Sequence, residues 1–262
     1  MVQPLSGQAI YVVLMRELKR YWRAKARVIS SVAQSFFFLV IFGLGFGGFV
    51  GRFEGVDYLS YVAPGVIGMG LLFSSVFSGV SVVFDRQFGF MKEMLVSPVS
   101  RTSIIIGKIL GGATTATMQG IILMIVAGLL GAFSPSIALI AGAFAGIGAM
   151  LLITSGFVGL GVAIGSTLND FHAFQLLSTF VMWPLFMLSG AFFPIDVAPL
   201  PLQVAMLCDP MFYGVELLRW CLLGTGTPLL GSVGWLISVG VVIVFDVLMI
   251  VLGTFQFSRA QI

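Results

Sequence analysis

The stretch Ile137–Gly165, IALIAGAFAGIGAMLLITSGFVGLGVAIG, decides the fold class. It carries no charged side chain over its whole length, and crossing a bilayer as a helix takes only about 20 such residues. The chain around it leaves no room for a soluble reading. Of its 262 residues 59% are hydrophobic and 9% charged, and the mean hydropathy is +1.12, whereas soluble domains carry about 25% charged residues. Thirteen Lys+Arg and ten Asp+Glu cannot cover a water-facing surface. The composition excludes an ordinary cytosolic enzyme, a disordered chain and a disulfide-built secreted domain. A net charge of +3 and a pI near 9.1 would suit a nucleic-acid binder, but the placement of the charges points to membrane topology instead.

Working outward, five more apolar runs are of spanning length. The expected spans are Val28–Val50, Tyr61–Phe84, Ile109–Phe133, Ile137–Gly165, Ala173–Phe193 and Gly231–Phe255. Arg16, Lys19, Arg20, Arg23, Lys25 and Arg27 precede the first of them, against the single acid Glu17. That basic segment is too long, and its apolar run too extended, for a cleaved secretory signal. With the basic start inside, Arg86, Lys92, Arg101, Lys108 and Arg259 return to the same side, and only Arg52 and Arg219 lie outside. The asymmetry is a strong positive-inside signal, with both termini cytoplasmic and an even number of spans.

The outer connections are short at Gly51–Ser60 and Ser134–Ser136, but Pro194–Leu230 is long and apolar. It holds Pro194, Pro199, Pro201, Pro210 and Pro228, and its apolar stretch Met211–Leu223 is too short to cross. A re-entrant or interfacial hairpin is expected there. Glu216 and Arg219, three apart on a helical stretch, can pair on one face and lower the cost of dipping towards lipid.

Several chemistries lack their residues. His172 stands in an inner loop beside Asp170 without a His or Cys cluster, so a metal site lacks ligands. Gly107-Lys108 is followed by Ile109, which is not a phosphate-binding loop. Cys208 and Cys221 both fall in the outer segment and read either as two small apolar residues or as a disulfide. Asp246 is the one acid well within an expected span, pairing with a neighbouring helix or reaching a wet cavity. The pairs Gly43/Gly47, Gly107/Gly111, Gly142/Gly146 and Gly161/Gly165 have the spacing of close helix contacts and read as packing within one subunit. Phe36-Phe37-Phe38, with Phe42 and Phe46, either faces lipid or lines a path.

The inner connection Asp85–Lys108 carries the most specific pattern. Phe90, Met91, Met94 and Leu95 alternate with Lys92 and Glu93 as in a short amphipathic helix. Pro98 ends it at Ser97, and Ser100 is placed to cap the helix that follows. Ile10, Leu14, Leu18, Tyr21 and Trp22 recur at helical spacing opposite Arg16, Lys19, Arg20 and Arg23, the pattern of a helix lying in the membrane interface.

Asp85-Arg86-Gln87, followed by Lys92-Glu93-Met94-Leu95-Val96-Ser97-Pro98-Val99-Ser100-Arg101, resembles the cytoplasmic loop of ABC-2 type transporter permeases. Gln87 replaces the common Glu of that pattern and Phe90 its usual Thr. Leu188-Ser189-Gly190-Ala191-Phe192-Phe193-Pro194 and the series Pro210, Tyr213, Glu216, Arg219 are also similar to that family, nearest to its daunorubicin-resistance-like and nodulation-export-like group.

The resemblance implies an all-α polytopic protein. Residues 1–27 would be a cytoplasmic interface helix, with Arg16, Glu17, Arg20 and Arg23 on it. Residues 28–262 would form one transmembrane domain of six spans, with a coupling loop at 85–108 and an outer hairpin at 194–230 that includes Pro194, Pro210, Tyr213, Glu216 and Arg219. Asp85, Arg86, Gln87, Phe88, Gly89, Met91, Lys92, Glu93, Met94, Ser97, Pro98 and Arg101 would meet a separate ATPase subunit. It implies a second permease subunit, lipid contacts, a solute to export, and ATP and magnesium on the partner rather than on this chain. No nucleic acid enters. An ion-coupled carrier or channel, or a membrane scaffold, is the competing expectation.

Overall fold

The structure is a computed structural model, described here for residues 6–47, 52–53, 56–88, 100–134 and 137–259. It is almost entirely helical. In chain order the helices are α1 (Gly7–Arg23), α2 (Lys25–Phe38), α3 (Tyr58–Ser78), α4 (Val80–Gln87), α5 (Arg101–Leu129) and α6 (Ile137–Thr167). They are followed by α7 (Phe171–Leu188), α8 (Leu200–Leu207), α9 (Pro210–Leu223) and α10 (Gly234–Arg259). A minimal antiparallel ladder, β1 (Arg52–Phe53) with β2 (Val56–Asp57), turns the chain between α2 and α3.

Among the described residues five segments are long and apolar enough to cross a membrane: Tyr58–Asp85, Thr102–Leu129, Leu139–Thr167, Phe171–Leu188 and Leu229–Phe257. The expected first span is different. α2 begins at Lys25 with polar turns that include Ser30, Ser31 and Gln34, then passes into a π-helical stretch, Leu39–Gly45. The apolar part, Val32–Gly45, covers about 21 Å at ~1.5 Å per residue, short of the ~30 Å hydrocarbon core.

The core forms around α3, whose residues from Tyr61 to Leu72 are all buried. α3 packs on α5, α6 and α9, while α6 also carries α10 along its length. Glycines set these approaches. Gly79, at the joint between α3 and α4, lies against the backbone of Gly161 and Gly165 on α6, where a Cβ would collide. Gly142 faces the Cys221 carbonyl on α9, and Gly107 and Gly111 on α5 receive α1 through Ile10, Val13 and Glu17. These pairs serve packing within the subunit.

Helix α1 is amphipathic as expected, but its buried side is not purely apolar. Tyr11, Val12 and Trp22 are exposed, whereas Glu17 is turned inward on α5. Local sequence sets the other helix starts. Ser100 accepts from the Ser103 N–H and caps α5, and Asp170 does the same for α7 through Ala173.

The segment between α7 and α10 folds as a short 3-10 turn (Ile195–Val197), α8, α9 and a second 3-10 turn (Pro228–Val233). α9 is buried from Met211 to Arg219, so it is an inner wall of the bundle rather than a surface hairpin. Cys208 and Cys221 are free thiols. Phe38 and Phe42 turn inward, onto Phe186 and Phe192 respectively, while Phe37 stays exposed.

Candidate functional site

The charge-rich end of the bundle buries a cluster of five charged groups. Lys108, eight positions into α5 and 2% exposed, donates from Nζ to Ser81 Oγ at 3.1 Å and to Asp85 Oδ2 at 2.5 Å. Its Nζ also lies 3.7 Å from Glu17 Oε1 on α1. Arg16 Nη2 donates to the other Asp85 oxygen at 2.5 Å, and Arg20 Nη2 donates to Glu17 Oε2 at 2.6 Å. Each carboxylate is held by two cations. Asp85 and Glu17 are buried, while Arg16 and Arg20 keep about a third of their side chains in solvent.

The position of this cluster matters more than its size. Asp85 belongs to α4, the last helix before the inner loop, and Lys108 to α5, the first after it. Arg16 and Glu17 come from α1. The cluster therefore ties both roots of the loop to each other and to the N-terminal helix. Removing one partner from a buried pair leaves an uncompensated charge, at a cost of about 3–5 kcal/mol, so the tie is stiff.

The expected loop contacts divide accordingly. Asp85 is 3% exposed and its carboxylate is taken up inside the bundle, so it anchors the loop rather than presenting itself to a partner. Gln87 is exposed and donates to the Asn169 carbonyl at 3.0 Å, and Phe88 is 70% exposed. Phe84 stacks on Phe171 with ring centroids 5.5 Å apart, so the α4 end also leans on α7. Arg86 and Arg101 lie at helix ends, in α4 and α5. Gly89, Met91, Lys92, Glu93, Met94, Ser97 and Pro98 fall outside the described residues. Arg23 stands in the last turn of α1.

The opposite end holds a second buried cluster. On α9 the expected residues recur every third position, and each ties a different neighbour. Pro210 opens the helix behind Asp209, whose carboxylate accepts from the Met211 N–H. Tyr213 donates from Oη to the Leu207 carbonyl at 3.0 Å. Glu216, fully buried, accepts from the backbone N–H and the hydroxyl of Thr227. Arg219 donates to the Gly190 carbonyl at 2.6 Å, stacks 4.1 Å over the Tyr61 ring and lies 3.7 Å from Glu216.

Gly190 has φ +68°, a left-handed conformation that suits glycine, and this turn sends its carbonyl to Arg219 and to Tyr61 Oη. Pro194 follows as the cap of the 3-10 turn Ile195–Val197. Asp209 is 3% exposed, and burial pushes its carboxyl up to about 7 against the pull of the Met211 N–H.

The sequence pointed to the Glu216–Arg219 pair but not to Thr227 or Gly190 as its partners. It placed Lys108 on the inner side without assigning it a contact. The missed signal was a lysine two turns inside an otherwise apolar helix, a position that demands a buried partner.

A family model described as ABC-2 type transporter matches residues 8–223. The chain is 26% identical over 223 residues to nodulation protein J of Rhizobium leguminosarum bv. viciae, covering 84% of each chain. It is 24% identical over 219 residues to nodulation protein J of Rhizobium meliloti, covering 82% of each. To the inner membrane transport permease YadH of Escherichia coli it is 25% identical over 233 residues, which is 87% of this chain and 89% of that protein.

Proposed function

The chain belongs to the ABC-2 type transporter family and is a multi-pass membrane transport permease, and on that premise we propose that it is the membrane-spanning subunit of an ATP-driven exporter. In this reading ATP and its magnesium sit on a separate ATPase subunit, which grips the inner loop 85–108 from the cytoplasm. The protein spans the cell membrane six times, α2 with its π-helical extension being the first span, and both termini are cytoplasmic. α1 lies in the interface, with Tyr11 and Trp22 towards lipid.

The observation that carries the proposal is the charge cluster at the loop's roots. A partner can drive a membrane bundle through a loop only if the loop's motion is not absorbed by slack where it joins the helices. Here Asp85 and Lys108 lock the two roots together, and Arg16 locks them to α1. α3 and α4 then run from Asp85 to Tyr61, about 36 Å at ~1.5 Å per residue, and end against Arg219 of the outer cluster. A push at one end is delivered to the other through one buried helical rod.

A second copy is proposed to lie on α7. The exposed side of α10 is uniformly apolar (Val244, Leu248, Val251, Phe255), which suits lipid. The exposed side of α7 mixes Leu176 and Phe180 with His172, Gln175 and Thr179 around a shallow groove, which suits protein.

The test is co-purification with an ATPase subunit from the same organism. Retained binding is expected with the intact chain, and loss of coupling between hydrolysis and transport is expected in Glu93→Ala and Arg86→Ala. A purified chain that moved its solute unaided, at the rate seen in cells, would overturn the proposal.

A further inference from the structure

Asp246 lies at the midpoint of α10, twelve positions from Gly234 and thirteen from Arg259. At ~1.5 Å per residue it stands about 18–20 Å from either end, so an ionisable group sits at the centre of a spanning helix. Its side chain is half-buried. Exposed apolar residues, Ile243, Val244, Val247 and Leu248, flank it on the outward side. On the other side α10 comes close to α6, where a Cβ on Gly156 would stand 3.2 Å from the Asp246 Cα.

No cation meets it among the described residues. α10 packs on α6, α5, α9 and the turn Pro228–Val233, and neither α6 nor that turn contains a charged residue. The charged residues of α5 are Arg101 and Lys108, and that end of α5 meets α10 at Phe257, eleven positions from Asp246. Lys108 is already held by Asp85. On α9, Glu216 and Arg219 are bound to Thr227, to the Gly190 carbonyl and to each other. Tyr213 and Cys221 of α9 are turned to the Leu207 carbonyl and to Gly146.

The polar group beside Asp246 is the Ser155 hydroxyl of α6. A hydroxyl has one proton to give, and that of Ser155 goes to the Leu152 carbonyl at 2.9 Å, so it offers Asp246 only lone pairs. Asp246 Oδ1 is buried with no hydrogen-bond partner. An ionised carboxylate can only accept, and here it would face an acceptor on one side and no donor on the other. Carrying that charge at the centre of a bilayer is costly as well. A carboxylic acid meets the same surroundings with a proton to donate.

We propose that Asp246 is a proton-binding site within the membrane, where its acid form donates to Ser155 and ties α10 to α6 while one side stays open to lipid. The inference rests on α10 spanning the bilayer and goes beyond the ATP-driven reading. Such a group is the target of a lipophilic carbodiimide. The acid O–H adds across one N=C bond, the oxygen bonding to the central carbon and the proton going to nitrogen. The acyl group then shifts to nitrogen, and nothing leaves, so the adduct gains the mass of the whole reagent.

The test treats the full chain in phospholipid nanodiscs with dicyclohexylcarbodiimide and maps the adduct by mass spectrometry. Modification is expected at Asp246 and should be lost in Asp246→Asn, which is close in shape to the neutral acid and should keep the elution profile and circular dichroism. A cationic, water-soluble carbodiimide should leave Asp246 unmodified. Infrared difference spectra between the two chains should show the loss of a protonated carboxyl band, and Ser155→Ala should shift that band. Absence of an adduct, equal modification by the water-soluble reagent, loss of carboxylate bands instead of the acid band, or a band unmoved by Ser155→Ala would overturn the proposal. None of these readouts requires an ATPase, so the proposal and the ATP-driven reading can fail separately.

Discussion

The two ends of the bundle each bury charge, and they do so in opposite ways. The cluster that is outer in the proposed orientation is built on one helix, with Glu216 and Arg219 three residues apart and their remaining bonds going to a backbone N–H, a hydroxyl and a carbonyl. The cluster that is inner in that orientation draws its members from α1, α4 and α5, keeps two arginines partly in solvent, and is almost wholly ion to ion. The outer cluster holds irregular backbone in place. The inner cluster ties three separate helices to one another. A buried charge bonded to backbone holds that backbone in place, whereas buried side-chain pairs hold one helix against another.

Replacing charges sharpens this contrast. The largest effect is expected from Glu216→Ala, because the residue is fully buried and three groups depend on it; a loss of about 3–5 kcal/mol is expected in thermal or denaturant unfolding of the purified chain. Lys108→Ala should cost slightly less, nearer 3 kcal/mol, since Asp85 keeps Arg16 and Glu17 keeps Arg20. The double variants separate the ends further. Asp85→Leu with Lys108→Met should regain most of the lost stability, while Glu216→Leu with Arg219→Met should not, because the Thr227 N–H and hydroxyl lose their acceptor and the Gly190 carbonyl keeps only Tyr61 Oη. Equal recovery at both ends would break the comparison.

A gentler probe is pH at the outer end. With Asp209 raised from about 3.8 to about 7 in the folded chain, the proton is held more tightly folded than unfolded. Its stabilising effect is full below about pH 4, declines as pH rises towards 7, and is constant above that. The melting temperature should fall across that window, and Asp209→Asn, which keeps the helix cap, should flatten this part of the profile. An unchanged slope in the variant would mean that other groups set it. The smallest effect belongs to Arg16→Ala, at most about 1 kcal/mol, because the guanidinium is 39% exposed.

Much of this architecture was legible in the sequence, and the limits have physical causes. α5, α6, α7 and α10 announced themselves through long apolar runs, since in lipid composition alone specifies a helix. The first span was less legible because Ser30, Ser31 and Gln34 make its first turns polar, and Ser30 and Gln34 line a cavity between α2, α3, α5 and α7. The i, i+3 pairing of Glu216 with Arg219 is a local property and could be read; the bonds to Thr227 and Gly190 depend on a turn and a chain reversal that spacing does not reveal. Glu17 looked like a lone acid among cations, and its meeting with Lys108 spans most of the first hundred residues. Asp85 read as a partner contact because a loop motif shows where a residue lies along the chain, not which way its side chain turns.

The central claim is that the inner cluster carries the partner's stroke into the bundle. It is tested most directly by the distance between spin labels at Gln87, on the inner end of α4, and Leu229, beyond α9, in the complex with its ATPase. With ATP and vanadate the distance distribution should shift in the otherwise unaltered protein. In the Asp85→Leu and Lys108→Met double variant the ATPase should still bind and hydrolyse ATP, and the distribution should stay where it was. A shift of the same size in that variant would contradict the account.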